Sequence, residues 1–159
     1  MKIVVLKFGG TSVGTVDRIK KVANIIISYA KKGYKVIVIP SMRTPKISIE
    51  LATKELGASG YVVNSVDKQA YLSALALADN VIVTCDSTSM ISEAATSGKP
   101  IFVAYMKPKK NNYRFKKFFQ LFKEMGIIRD LGEQVESWTY NKLNEAARIA
   151  TIINSKLKN

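Results

Sequence analysis

The chain has 159 residues, enough to bury one hydrophobic core, and its 47% hydrophobic and 23% charged residues exclude an intrinsically disordered protein. Its 25 Lys and Arg outnumber its 12 Asp and Glu, and the net charge of +13 favours anionic partners such as nucleotides, nucleic acid or a membrane surface. The absence of histidine excludes imidazole catalysis, and with the single cysteine it argues against a zinc site, so we expect no metal.

The same composition indicates the compartment. Apolar runs stop well short of the length that crosses a bilayer, and the first residues show no small-residue cleavage site of a signal peptide. One cysteine cannot form an internal disulfide, which suits a reducing environment. We therefore expect a cytoplasmic protein.

Short runs of β-branched residues alternate along the chain with segments of helical apolar spacing. The predicted strands are 2–7, 35–39, 60–64, 80–84 and 101–105, and the predicted helices are 16–32, 48–56, 67–78, 90–97, 115–125 and 141–157. This alternation predicts an α/β fold with a Rossmann-like parallel sheet of about five strands and helices on both faces. We expect one domain over residues 1–159.

Residues 7–13 (KFGGTSV) join the first strand to the first helix. Gly9 and Gly10 would let backbone amides approach a phosphate, and Lys7 would supply a positive charge beside them. The segment resembles the aspartokinase signature over residues 1–39, which implies that Lys7, Gly9 and Gly10 serve ATP phosphates and that Ser12 lies near aspartate. The resemblance ends at residue 39, so an aspartate kinase fragment is the alternative function, ATP is the less favoured ligand, and aspartate phosphorylation is not expected.

Residues 86–100 carry the second candidate site, at the start of a predicted helix that follows a buried strand. Small hydroxyl residues at a helix N-terminus offer hydroxyl and backbone donors to an anion, and an acidic residue one turn on can accept hydrogen bonds from a ribose diol. The hydroxyl residues are Ser87, Thr88 and Ser89, and the acidic residue is Glu93.

The pattern T-x-DS-x-SM-x-SEA of residues 84–95, together with the GKP turn at 98–100, resembles the mitochondrial fission Elm-one family, which is related to GT-B glycosyltransferases. The resemblance covers residues 40–157 and includes Ser41-x-Arg43-Thr44-Pro45. It implies the C-terminal half of a GT-B fold, a phosphate loop at residues 87–90 that includes Met90, and Glu93 at the ribose of a UDP- or GDP-linked sugar. On this interpretation the half of a GT-B fold that binds the acceptor substrate is not present. We therefore expect a nucleotide-sugar binding remnant without full transferase activity. Such a remnant would associate with itself or with an acceptor domain.

Several structural alternatives stand beside these roles. Ser87 and Ser89 could be helix N-caps, and Glu93 could be a capping-box partner or a solvated acid of the first turn. Arg43 would lie at the same sheet edge as Ser87 if the strands are parallel, as a phosphate contact or as an ordinary surface arginine. Trp138 and Tyr140 are interpreted as packing for the last helix.

The basic stretch Lys107–Lys117 defines a third function class, an adaptor for nucleic acid or an anionic membrane. Its phenylalanines recur at helical spacing, which favours a face that packs on the core over a platform for stacked bases. Binding of macromolecules through this stretch is therefore not the favoured function.

Overall fold

The computed structural model describes residues 2–105, 113–133 and 135–157. They form one six-stranded sheet in which all neighbouring strands are parallel, in the order β3-β2-β1-β4-β5-β6. The strands are β1 (Ile3–Lys7), β2 (Lys35–Ile39), β3 (Gly60–Val62), β4 (Asn80–Thr84), β5 (Ile101–Ala104) and β6 (Ile128–Asp130).

Helices cover both faces of the sheet. They are α1 (Val16–Lys31), α2 (Lys46–Leu56), α3 (Lys68–Leu77), α4 (Thr88–Ala95), α5 (Tyr113–Glu124) and α6 (Glu145–Leu157). Side chains of α1 and α2 pack with Val4, Leu6 and Ile82 on one face, and side chains of α3, α4 and α5 pack with Val5 and Val81 on the other. The central strands β1 and β4 are therefore buried on both faces, which explains their continuous runs of β-branched and aliphatic residues.

The predicted α/β class, the parallel sheet and the helices on both faces are confirmed. The structure adds a sixth strand, β6, which the sequence did not reveal because Arg129 and Asp130 are exposed and leave it no apolar run. The last helix begins at Glu145, four residues later than predicted. After α1 the chain turns at Gly33, where φ is 82° and the backbone N–H donates to the Ala30 carbonyl.

Trp138 and Tyr140 are packing residues, but their partners differ from the prediction. The Trp138 ring stands edge-on to Phe102 of β5 at 5.0 Å, and its Nε1–H donates to the Gly126 carbonyl at 2.7 Å. Tyr140 donates its hydroxyl to the Lys99 carbonyl at 3.0 Å. The segment before α6 is thus held against the sheet and the turn after α4.

Stability above pH 10 should depend on Tyr140. Burial raises the pKa of Tyr140 to about 12 from its ordinary value of 10.0. The folded chain therefore holds this proton more tightly than the unfolded chain, so the stabilisation is complete below pH 10 and is lost as the pH rises through about 12. We expect Tyr140→Phe to make the fall in the free energy of unfolding between pH 10 and pH 12 shallower, as measured by urea unfolding at each pH. A slope that Tyr140→Phe leaves unchanged would contradict this assignment.

Helix α6 contributes nothing to the buried core: none of its residues from Glu145 to Leu157 is buried. Its exposed apolar side chains are Ile149, Ile152, Ile153 and Leu157. None of the helices within the described ranges is long and apolar enough to cross a membrane. The predicted association of the chain with itself or with an acceptor domain stays a prediction.

Candidate functional site

The candidate site lies where the order of the strands reverses direction. The chain proceeds outward from β1 through β2 to β3, and then returns to place β4 against the other side of β1. The connections after β1 and β4 lead to helices on opposite faces of the sheet. In sheets of this topology ligands bind at the carboxyl ends of two such strands, and we call this region the crevice. Both predicted constellations open into this crevice, because residues 8–13 follow β1 and residues 85–89 follow β4.

The loop after β1 is held to the end of β4 by a buried hydrogen bond. The backbone N–H of Gly9 donates to Oγ1 of Thr84 at 2.7 Å, and Thr84 is fully buried. A Cβ at position 9 would collide with the carboxylate of Asp86. Gly9 is therefore needed here because a side chain approaches its backbone closely, and the approaching group is a carboxylate of the protein itself.

Gly10 allows a third loop to close over the first. A Cβ at position 10 would collide with Cβ of Arg43, in the loop between β2 and α2. That loop is a turn in which Thr44 accepts a hydrogen bond from the backbone N–H of Ser41 at 2.9 Å. Arg43 and Ser87 thus lie at the same edge of a parallel sheet, as expected, and the Arg43 side chain is exposed there.

Lys7 and Glu93 bring the two constellations into direct contact. Nζ of Lys7, at the end of β1, lies 3.4 Å from Oε2 of Glu93, in the second turn of α4. The Lys7 side chain is only 12% exposed and that of Glu93 is 46% exposed. Desolvation by burial lowers the pKa of Lys7, and the charge of Glu93 opposes this shift. The crevice therefore contains a desolvated cation beside a carboxylate that solvent reaches.

Tyr71 of α3 completes this cluster. Nζ of Lys7 lies 3.2 Å from the centre of the Tyr71 ring, a cation–π contact. Burial raises the pKa of Tyr71, and the nearby Glu93 carboxylate adds to the shift. The cluster of Lys7, Tyr71 and Glu93 therefore joins β1, α3 and α4 at one point of the crevice.

Of the hydroxyl residues at the start of α4, Ser87 is the helix cap, whereas Ser89 lies inside the helix and is not an N-cap. Oγ of Ser87 accepts the backbone N–H of Met90 at 3.4 Å and lies 3.2 Å from Oγ of Ser89. The N-cap interpretation of Ser87 is confirmed. The capping-box interpretation of Glu93 is wrong, because Met90 occupies the position three residues after the cap. Thr88 begins the helix at the crevice, while the Met90 side chain is buried.

The remaining predicted residues are Ser12 and the basic stretch. Ser12 lies in the short 3-10 turn Gly10–Val13 of the loop after β1. Of the basic stretch, Lys107, Lys109 and Lys110 lie outside the described residues, whereas Lys116 and Lys117 are exposed on α5. Phe118 and Phe119 pack against the core, which confirms the interpretation of the helical phenylalanine spacing.

Sequence reasoning did not assign roles to Tyr71, Thr84 and Asp86. Thr84 and Asp86 are part of the T-x-DS pattern, so their position directly after a buried strand was an available signal. Tyr71 had no such signal, because its spacing with Leu72 and Leu75 is that of an ordinary amphipathic helix.

The fold and the crevice define a doubly wound α/β domain with basic and acidic groups at its switch point. Two solved structures share this fold. UGT71G1 of Medicago truncatula, a GT-B glycosyltransferase solved with UDP-glucose, superposes with a TM-score of 0.51 at 20% identity, over 83% of this chain and 27% of that one. An FMN-dependent UbiX-like decarboxylase of Escherichia coli O157:H7 superposes with a TM-score of 0.56 at 13% identity, over 80% and 78%.

The chain belongs to the family described as Mitochondrial fission ELM1, whose family model matches residues 2–157. It is 31% identical to the mitochondrial fission protein ELM1 of Arabidopsis thaliana over 89% of this chain, and 36% identical to the protein RP120 of Rickettsia prowazekii over 82%. The chain spans only 34% and 38% of the length of these relatives. The Elm-one membership predicted from residues 40–157 is confirmed, and the family match extends through the first strand as well.

Aspartokinases match as well: aspartokinase 2 of Bacillus subtilis is 29% identical over 65% of this chain. The resemblance therefore extends beyond residue 39, where it was expected to end. The aspartokinase of Geobacillus stearothermophilus is 54% identical over 41 residues, which is 26% of this chain. The ELM1 family model and the aspartokinase matches therefore cover overlapping parts of the chain.

Proposed function

We propose that this domain binds a nucleoside diphosphate, as the free nucleotide or as the nucleotide part of an activated sugar, in the crevice between β1 and β4. One observation carries the proposal. Lys7, which is desolvated, lies beside the half-exposed Glu93 at the switch point of the sheet, although the two residues are 86 positions apart in the chain. A cation suits the diphosphate, and a carboxylate that accepts hydrogen bonds suits the ribose diol.

The diphosphate would lie beside Lys7 and the start of α4. The backbone amides in the first turn of a helix carry a partial positive charge and favour an anion. Thr88 and Ser89 add hydroxyl donors at the same place, and exposed Arg43 approaches from the loop after β2. The net charge of +13 raises the local concentration of such an anion.

The ribose would lie over Glu93. Its side chain is 46% exposed, so its carboxylate can accept two hydroxyl groups without leaving water entirely. The ion pair with Lys7 is long, at 3.4 Å, for a charged hydrogen bond, so a ligand can replace it at little cost. The fold likeness to a glycosyltransferase solved with UDP-glucose agrees with this class of ligand.

Thermal unfolding in the presence of UDP, GDP, UDP-glucose and ATP tests the proposal, with affinities from calorimetry. A ligand that binds only the folded chain raises the midpoint of unfolding with its concentration. We expect UDP or GDP to do so, and Glu93→Ala to weaken that binding about tenfold or more, because two hydrogen bonds to a charged acceptor are lost. Glu50→Ala, at an exposed position of α2, is the matched control and should bind as the wild type does.

Two outcomes would contradict this function. Cooperative unfolding with a midpoint that neither UDP nor GDP changes would leave the crevice without its proposed ligand. A shift with ATP alone, enhanced by aspartate, would favour the aspartokinase-like alternative.

A further inference from the structure

The hydroxyl of Tyr71 is buried without a partner. Tyr71 is 3% exposed, and within the part of the chain that the structure describes its oxygen makes no hydrogen bond. Buried tyrosine hydroxyls usually find a partner, since leaving such a group unpaired is unfavourable. Because this hydroxyl lies beside the candidate ligand site, we expect its hydrogen-bond partner to belong to that site.

The surroundings of this hydroxyl identify its missing partner. The Tyr71 ring lies under the ammonium of Lys7, with 3.2 Å between Nζ and the ring centre, and that ammonium pairs with Glu93 at 3.4 Å. Glu93 is also close enough to Tyr71 for its charge and for hydrogen bonding between the two side chains to raise the pKa of the phenol, although the phenol oxygen does not have the geometry of a completed hydrogen bond. Lys7 and Tyr71 thus face the same carboxylate, and in the ligand-free domain only the Lys7 contact has the geometry of a hydrogen bond.

We infer that Tyr71 is a positioning residue that donates its hydroxyl to the Glu93 carboxylate when nucleotide is bound. This inference rests on the proposed function. A diphosphate in the crevice attracts the Lys7 ammonium, and Glu93 then loses its partner. The Tyr71 hydroxyl replaces that partner, so that one carboxylate oxygen is held by the protein and the rest of the acceptor capacity faces the ribose diol.

No proton changes hands in this exchange. Because burial and the neighbouring carboxylate both raise the pKa of Tyr71, the phenol stays protonated at neutral pH and acts only as a donor. The inferred change is thus an exchange of hydrogen-bond partners within the cluster of Lys7, Tyr71 and Glu93.

Tyr71→Phe tests the inference, because it removes the hydroxyl and keeps the ring that packs against Lys7. Calorimetric titrations should show about a threefold to tenfold weaker affinity for UDP, or for GDP if that is the nucleotide bound. The affinity for inorganic pyrophosphate should not change, because it presents no diol to Glu93. In a Glu93→Ala background, Tyr71→Phe should cause no further loss, since the two groups act together.

The ligand-free protein supplies a second readout. Removing an unpaired buried hydroxyl should leave the midpoint of thermal unfolding unchanged or slightly raised, whereas removing a bonded one would lower it. Tyr61→Phe is the matched control, because Tyr61 is 63% exposed on β3, and it should change neither the affinity nor the midpoint.

The results separate this inference from the proposed function. If Glu93→Ala loses nucleotide and Tyr71→Phe binds it like the wild type, the binding function stands and the role of Tyr71 is wrong. A Tyr71→Phe effect that is equal for pyrophosphate, additive with Glu93→Ala, or accompanied by a lower ligand-free midpoint also overturns the inference. If the wild type binds neither UDP nor GDP, the proposed function and this inference fail together.

Discussion

Lys7→Met should weaken the binding of UDP and of inorganic pyrophosphate alike, by about tenfold to a hundredfold. Lys7 is the buried cation of the crevice, with a side chain 12% exposed, and a charged hydrogen bond to phosphate contributes about 1.5–3 kcal/mol in such surroundings. The equal loss for both ligands distinguishes Lys7 from Glu93 and Tyr71, whose variants should spare pyrophosphate. Calorimetric titration of each ligand measures the effect.

The same variant should fold as well as the wild type. Burial lowers the pKa of Lys7, so the folded state pays for keeping its ammonium charged, and Glu93 remains accessible to water when the lysine is removed. Lys54→Met, at an exposed position near the end of α2, is the control for the loss of one positive charge and should bind both ligands normally. Wild-type affinity of Lys7→Met for pyrophosphate would show that the diphosphate lies elsewhere.

Thr84→Val should destabilise the domain by about 1–3 kcal/mol, the largest effect we expect from a nearly isosteric change. Thr84 is fully buried, and its Oγ1 is the acceptor of the Gly9 N–H at 2.7 Å. Valine retains the shape of the side chain and leaves that N–H without this partner. Urea unfolding at neutral pH measures the difference in the free energy of unfolding.

Thr84→Ser provides the discriminating comparison. Serine keeps the hydroxyl and loses one methyl group, so it should retain most of the stability that Thr84→Val loses. If Thr84→Ser is as unstable as Thr84→Val, the methyl packing of Thr84 and not its hydrogen bond supports the loop after β1. Nucleotide affinity should fall in Thr84→Val as well, since this bond ties the KFGG loop to the end of β4.

The two family resemblances meet in one crevice because of how the sheet is connected. Along the chain residues 1–39, which include the KFGG loop, precede the rest, but in the sheet β1 and β2 lie between β3 and β4. Lys7 from the first segment and Glu93 from the second are consequently in contact, at 3.4 Å. The match of one family model to residues 2–157 agrees with this interleaved arrangement.

Much of this architecture could be predicted from the sequence alone, because strands buried on both faces need continuous apolar runs and amphipathic helices need a 3.6-residue period. Those patterns also place polar loops after β1, β2 and β4, and parallel strands must deliver such loops to one edge of the sheet. Gly9, Gly10, Arg43, Ser87 and Glu93 were therefore predictable as residues of one edge. β6 was not, since a three-residue strand with two exposed side chains has no distinguishing period.

Which of these residues are in contact was determined by the tertiary structure alone. The strand order places β4 beside β1, and α3 packs across them so that Tyr71 lies under Lys7 and near Glu93. The sequence does not distinguish a tyrosine at an ordinary apolar position of a helix from a buried tyrosine whose hydroxyl has no hydrogen-bond partner. The difference depends on neighbours that are distant in the chain. The sequence by itself determined the fold class, the family and the polar edge, whereas packing between segments distant in the chain determined the Lys7, Tyr71 and Glu93 cluster.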